Sequence, residues 1–239
     1  KDVNLYNPAI QIDRVRPFKH FLAIFGRQDG LEQVWIADVT KSKDLTFWLR
    51  IEFEESAYSV WSENNFEYET SKVRLVHSSL ISPKRVFDYD FRNGSVDVLK
   101  QQEVPHYDAT QYECRRIFAP SRDGSTQIPM SLVYRKGLLS LSPESELSKS
   151  KSKSKSTSKD LDKDKGKYKD SEIAKVLDLN QDQEPATPRK MLLYAYGSYG
   201  ASMDPVFDFK RLSLLDRDVV YCIAHIRGGG EMGRHWYVV

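Results

Sequence analysis

No serine in this 239-residue chain stands in a Gly-x-Ser-x-Gly setting. That pattern marks a strained turn between strand and helix, where glycines relieve the crowding around a serine thrust into a cleft. The nearest approach is "YAYGSYG" (194–200), where Tyr196 occupies the place of the first glycine, so the chain carries no nucleophile elbow. Cysteine is scarce too. Cys114 and Cys222 lie far apart and in no metal-binding spacing, which argues against a disulfide scaffold and fits two buried structural thiols in a reducing compartment. No apolar run approaches the roughly 20 residues that span a bilayer as a helix. Charge of one sign is missing as well. With 36 Lys+Arg against 34 Asp+Glu the net charge is +2, so composition gives no whole-chain footprint for nucleic acid or an anionic membrane, and neither is an expected partner. His225 and His235 have no third partner at metal-ligand spacing, and His20, His77 and His106 are weaker candidates still, so no metal is expected. The opening "KDVNLYNP" has neither an initiator methionine nor a charged-then-apolar leader, as an internal fragment would, and leaves any upstream targeting signal unobservable.

What is present begins with short strands. "FKHFLAIFG" (18–26) and "LEQVWIADV" (31–39) flank Asp29-Gly30, the signature of a hairpin. "TFWLRIEF" (46–53), "AYSVWS" (57–62), "KVRLVHSSL" (72–80), "RVFDYDF" (85–91) and "SVDVLK" (95–100) continue the series, with Asn93-Gly94 between the last two. Strands at this spacing without helical periodicity between them predict an antiparallel sandwich, barrel or propeller, and the period does not choose among these. Beyond residue 107 the pattern changes. Residues 113–135 form a longer hairpin across Asp123-Gly124. "KMLLYAY" (190–196) and "VVYCIAHI" (219–226) are nearly continuous apolar runs, as expected of strands covered on both faces. Between them, "FDFKRLSLLDRD" (207–218) places Phe209, Leu212 and Leu215 at helical spacing. Strand, helix, strand and a glycine cluster read as the start of an α/β sheet, with the boundary to the all-β part between residues 103 and 113. Residues 140–190, rich in Ser, Lys and Asp with few apolar side chains, are expected to be a disordered surface insert, because they cannot offset an ordering entropy of about 1–2 kcal/mol per residue. Within it, "SEIAKVLDLN" (171–180) has the pattern of a transient amphipathic helix.

Two glycine-bearing stretches are candidates for chemistry. In "YAYGSYG" a tyrosine hydroxyl at a strand exit could donate to an oxyanion, or the tyrosines pack and the glycines merely turn the chain. "AHIRGGGEMGRHWY" (224–237) matches neither the P-loop nor the dinucleotide fingerprint, and Glu231 would repel phosphate. A tight strand exit with Arg227 and Glu231 in structural ion pairs is the better expectation.

The run from "SSLISPKRVFDYDF" (78–91) through "SRDG" (121–124) and "IPMSLVYRK" (128–136) to "YAYGSYGASMDP" (194–205) and "RLSLLDRDVVYCIAHIRGGGEMGRHWY" (211–237) resembles the oligopeptidase B branch of the prolyl oligopeptidase family of serine peptidases. Apart from the insert, the likeness covers nearly the whole chain. It implies the C-terminal blades of a seven-bladed β-propeller (1–108) followed by the start of an α/β-hydrolase domain, whose first hairpin is 109–139. The insert occupies 140–190, and 191–239 supplies hydrolase strands and the oxyanion loop, ending before the nucleophile. It further implies a cytoplasmic enzyme without cofactor that cleaves short basic peptides after Arg or Lys by a Ser-Asp-His triad. The family's oxyanion tyrosine falls on Tyr196, which leaves Ser198 as a turn residue. The triad lies beyond Arg-Gly-Gly-Gly-Glu in the family, so this chain alone is expected to be inactive, and Val238-Val239 departs from the family's continuation after "WY". The rival is a non-catalytic truncated product or pseudoenzyme that serves as a binding module.

Overall fold

The computed structural model describes residues 10–41, 48–139 and 189–238. Among the described residues eight strands precede residue 102: β1 (Ile10–Pro17), β2 (Phe21–Gln28), β3 (Leu31–Asp38), β4 (Leu49–Arg50), β5 (Tyr58–Ser62), β6 (Lys72–Ser79), β7 (Arg85–Asp90) and β8 (Val96–Gln101). They pair in sequence order into two four-stranded antiparallel sheets, β1-β2-β3-β4 and β5-β6-β7-β8. Repeated four-stranded meanders of this kind are blades of a propeller, which selects one of the three architectures that periodicity left open.

The turns explain the registers. Asp29 and Gly30 adopt φ of 53° and 75° and join Gln28 to Leu31 as paired residues, so both central positions of the hairpin are left-handed as a primed turn requires. The two blades share one core. Phe18, Phe21, Val34 and Ile36 from the first meet Tyr58, Val60, Leu75 and Phe87 from the second. Phe21 and Leu75 are wholly buried, and each such side chain contributes about 1.5–3 kcal/mol.

Two readings need correction. Within the described part of 46–53, only Leu49–Arg50 is strand; beyond it Glu52 and Glu54 turn out to solvent while Ile51 and Phe53 pack into the core. Strand β1 was not anticipated. Its sequence IQIDRVRP carries three charges and a proline, which an edge strand tolerates because one side of its ladder is free.

The third sheet has the order β11-β12-β10-β9, built from β9 (Tyr112–Pro120), β10 (Gln127–Arg135), β11 (Met191–Tyr194) and β12 (Val220–Ala224). β9 and β10 form the expected hairpin, β10 runs antiparallel to β12, and β11 runs parallel to β12. The connection from β11 to β12 contains a 3-10 turn at Phe209–Arg211 and a helical turn at Leu212–Leu215. Leu215 is buried, but Phe209 is 58% exposed, so the helical face is shorter than its spacing suggested. All five residues of β12 are buried, as expected of a strand covered on both faces. β11 is not covered in this way. Among the described residues its four residues are 39–57% exposed and pair only with β12. Residues 140–188, which hold most of the expected insert and the 171–180 segment, lie outside the described residues.

Candidate functional site

Parallel strands β11 and β12 end side by side, and each is followed by a glycine-bearing loop. The first loop holds Tyr196 to Gly200. Ala201 N donates to the Ser198 carbonyl at 3.0 Å, while Tyr199 and Gly200 adopt φ of 57° and 67°. Ser198 is thus the first residue of a tight turn. Tyr196, two residues after the strand, is 48% exposed, and its hydroxyl has no hydrogen-bond partner among the described residues.

The second loop locks onto the first through its backbone. Gly200 N donates to Gly228 O at 2.9 Å. A Cβ on Gly228 would strike the Gly197 carbonyl, and one on Gly230 would lie 2.5 Å from Gly200 O. A Cβ on Gly197 would fall 2.5 Å from the Ile226 side chain. Gly197 and Gly228 also have φ of 63° and 93°, where a side chain is strained in any surroundings. The glycines therefore allow two backbones to touch, which neither a simple turn nor an anion cradle requires.

Glu231 follows the triplet and is 2% exposed. Its Oε1 accepts from Met203 N at 2.9 Å and lies 3.6 Å from His225 Nδ1. Burial would raise its carboxyl, but the His225 ring, the Met203 N–H and its own N–H outweigh this and hold it below the ordinary glutamate range. Of the two residues expected in structural ion pairs, Glu231 faces His225 and Arg227 is in none among the described residues. Arg227 is exposed and makes no ion pair among the described residues, since the loop turns its side chain outward while Glu231 points in toward His225. His225 itself, 1% exposed, is bound at Nε2 to the Ser131 hydroxyl at 2.8 Å. Sequence reasoning missed this trio. His225 and Glu231 were each singled out, but Ser131, a serine inside the apolar run of β10, was not joined to them.

Contacts between the first blade and this region are polar. The Arg27 guanidinium grips both oxygens of Asp204, at 2.7 and 3.0 Å, and reaches Glu32 at 3.4 Å. Arg116, 7% exposed, donates to the Asp29 carbonyl, and burial pushes its guanidinium down to about 10. Between the Asp29-Gly30 turn and Gly230–Arg234 opens a cavity of about 640 Å³, walled also by Gln11 and Tyr237. Gly200, not Tyr196, reaches its wall. Both thiols are unpaired, and burial pushes each up to about 12, so neither Cys114 nor Cys222 is a thiolate at neutral pH.

Comparison with known proteins places this geometry. The domain described as "Prolyl oligopeptidase, N-terminal beta-propeller domain" matches residues 7–102. Dipeptidyl aminopeptidase BI of Pseudoxanthomonas mexicana is 35% identical over 99% of this chain, and Protease 2 of Moraxella lacunata is 29% identical over 97%. The chain spans 26% of the length of each. The solved structure of oligopeptidase B from Leishmania major superposes with a TM-score of 0.68 at 29% identity, covering 97% of this chain and 27% of that one. Two four-stranded blades, the domain match across them and relatives that align along nearly the whole chain agree: the chain belongs to the prolyl oligopeptidase family.

Proposed function

We propose that this chain joins the closing blades of a propeller, residues 1–108, to the first strands of an α/β-hydrolase domain in a serine-type oligopeptidase, with 140–190 as an insert between hydrolase strands. In that enzyme the Tyr196 hydroxyl donates a hydrogen bond to the oxyanion formed as a peptide carbonyl is attacked. A serine outside this chain would make the attack, a histidine would take its proton, and an aspartate would hold the imidazole's orientation. The substrates are short peptides cut after Arg or Lys, and the chain by itself is inactive.

The observation that carries the reading is the placement of Tyr196. Ligands of open α/β sheets bind beyond the carboxyl ends of the strands, and both glycine loops lie at such ends of the parallel pair β11 and β12. A donor to a transient anion must be reachable, unspent and fixed before reaction. Tyr196 is half-exposed, its hydroxyl has no partner among the described residues, and its loop is held by close backbone contacts.

The test is Tyr196→Phe in a whole peptidase containing these residues, assayed on a short peptide with Arg at the cleaved bond. Loss of one oxyanion donor should lower kcat by about 10²–10³. KM should stay nearly unchanged, because the interaction is made mainly in the transition state. Turnover equal to that of the parent would sink the assignment. A whole protein that bound such peptides without cleaving them would be the non-catalytic module instead.

A further inference from the structure

Behind the glycine loops lie three polar side chains that the hydrolytic reading does not use. Ser131, His225 and Glu231 are 0%, 1% and 2% exposed. The Ser131 hydroxyl is 2.8 Å from His225 Nε2, and His225 Nδ1 faces Glu231 Oε1 at 3.6 Å. The composition is that of a nucleophilic triad. The burial of Ser131 nevertheless bars any substrate carbonyl from its Oγ, so attack is not its task.

Isolated polar groups are costly in such a place, and a carboxylate is the costliest of the three. Their partners show what the cost secures. Glu231 Oε1 accepts from Met203 N at 2.9 Å and so fastens the far end of the tyrosine loop. The near end is fastened by Gly197 against Ile226 and by Gly200 N on the Gly228 carbonyl. His225 ties the second loop to the sheet. Its backbone N–H donates to Pro129 O at 2.9 Å, and its backbone carbonyl accepts from Trp236 Nε1 at 3.2 Å. Ser131, on β10, supplies the sheet's end of the row, since its neighbour Met130 pairs with Ala224 immediately before His225. The Ser131–His225 hydrogen bond, the 3.6 Å contact of His225 with Glu231 and the Glu231–Met203 bond therefore line up between the sheet interior and the tyrosine loop, while the backbone of His225 anchors the second loop.

We infer that Ser131, His225 and Glu231 are positioning residues for Tyr196, a buried relay that sets how the tyrosine loop sits on the mixed sheet and hence where its hydroxyl points. The inference rests on the oxyanion role proposed above for Tyr196.

Two substitutions test it in a whole peptidase containing these residues. Glu231→Gln keeps the size and an oxygen for Met203 N while removing the charge, and Ser131→Ala removes one oxygen. Each is measured alone and combined with Tyr196→Phe. Glu231→Gln should lower kcat by about 10- to 100-fold, as a misplacement of about 1 Å does. KM should stay within about twofold. In the Tyr196→Phe background the same change should lower kcat by less than about twofold, because the hydroxyl through which the relay acts is already gone. Ser131→Ala should follow the same pattern with a smaller loss, and it carries the test if Glu231→Gln fails to fold. Equal losses in both backgrounds would overturn the inference, since the effect would then bypass Tyr196. So would unchanged kcat in both variants. Parent-like turnover of Tyr196→Phe alone is a separate outcome, which removes the oxyanion reading and the inference with it.

Discussion

Gly228→Ala, compared with Gly124→Ala, isolates the backbone contact that holds the two loops together. Gly124 has φ of 69° and nothing within 4 Å of the position its Cβ would take. Alanine there pays only for left-handed backbone, about 1–2 kcal/mol. The stiffer unfolded chain returns about 0.4–1 kcal/mol of that. Gly228, at φ of 93°, carries a comparable backbone penalty plus a collision, because its Cβ would strike the Gly197 carbonyl oxygen and lie 2.8 Å from the carbonyl carbon. Neither partner is the flexible end of a side chain, so a backbone must move. Overpacking of this kind costs about 1–3 kcal/mol beyond the shared term.

The Gly200 amide, which donates to Gly228 O at 2.9 Å, reports this directly. If the loops separate, local opening becomes easier by the collision energy, and about 2 kcal/mol corresponds to roughly 30-fold faster amide exchange. Hydrogen exchange of peptides covering 195–203 should accelerate by about that factor in Gly228→Ala and stay at the parent rate in Gly124→Ala. Identical exchange of those peptides in the two variants would refute the interlock, whatever their melting temperatures.

Two further predictions concern charges. Asp204→Asn removes the carboxylate that accepts both Arg27 donors in a pair whose side chains are only 10% and 27% exposed. It should destabilise by about 1.5–3 kcal/mol, and in a double-mutant cycle with Arg27→Met the second change should cost much less than the first. Purely additive losses in chemical denaturation would contradict the contact. Glu231, whose folded carboxyl lies below the ordinary value of 4.5, contributes stability that is fully present above that value and lost as pH falls through the depressed one. The denaturation midpoint of the parent should therefore fall more steeply with acid below pH 4.5 than that of Glu231→Gln. Parallel acid profiles would mean that the carboxylate is not held ionised.

Local chemistry was legible where it decides the structure. Asp29-Gly30 and Asn93-Gly94 announced their turns because few residues enter left-handed backbone, and Gly30 and Gly94 do so at φ of 75° and 72°. β12 was legible as a buried strand because all five of its residues are apolar. The apolar run of β11 located a strand in the same way, although its four residues are half-exposed among the described residues. β1 stayed hidden behind the charges that an edge permits. The partner of Glu231 was not legible, for a different reason. Arg227 and His225 are both near in sequence, and only the direction of the chain leaving β12 turns one out and the other in. Ser131 lies 94 residues from His225, so no spacing rule joins them. Tyr196 stands apart from all of these, because its candidate role came from a family resemblance and not from any period in the residues around it.

The triple glycine is the clearest case of a motif whose meaning depends on what its backbone groups touch. An anion cradle requires glycine N–H groups directed at open space. Here Gly228 N is spent on Trp236 O at 2.9 Å and Gly229 N on Ile226 O at 3.3 Å. The faces that lack a Cβ are occupied in turn by Gly197 O, Glu231 Oε2 and Gly200 O. A phosphate would have to displace protein backbone and then sit beside a buried carboxylate. Each glycine of the triplet is thus matched to a different protein atom, and the glutamate that follows is matched to Met203 N. Replacing one member should harm the loop in its own way, so the run acts as four separate fits, three of them to the tyrosine loop and one, at Gly229, within its own loop.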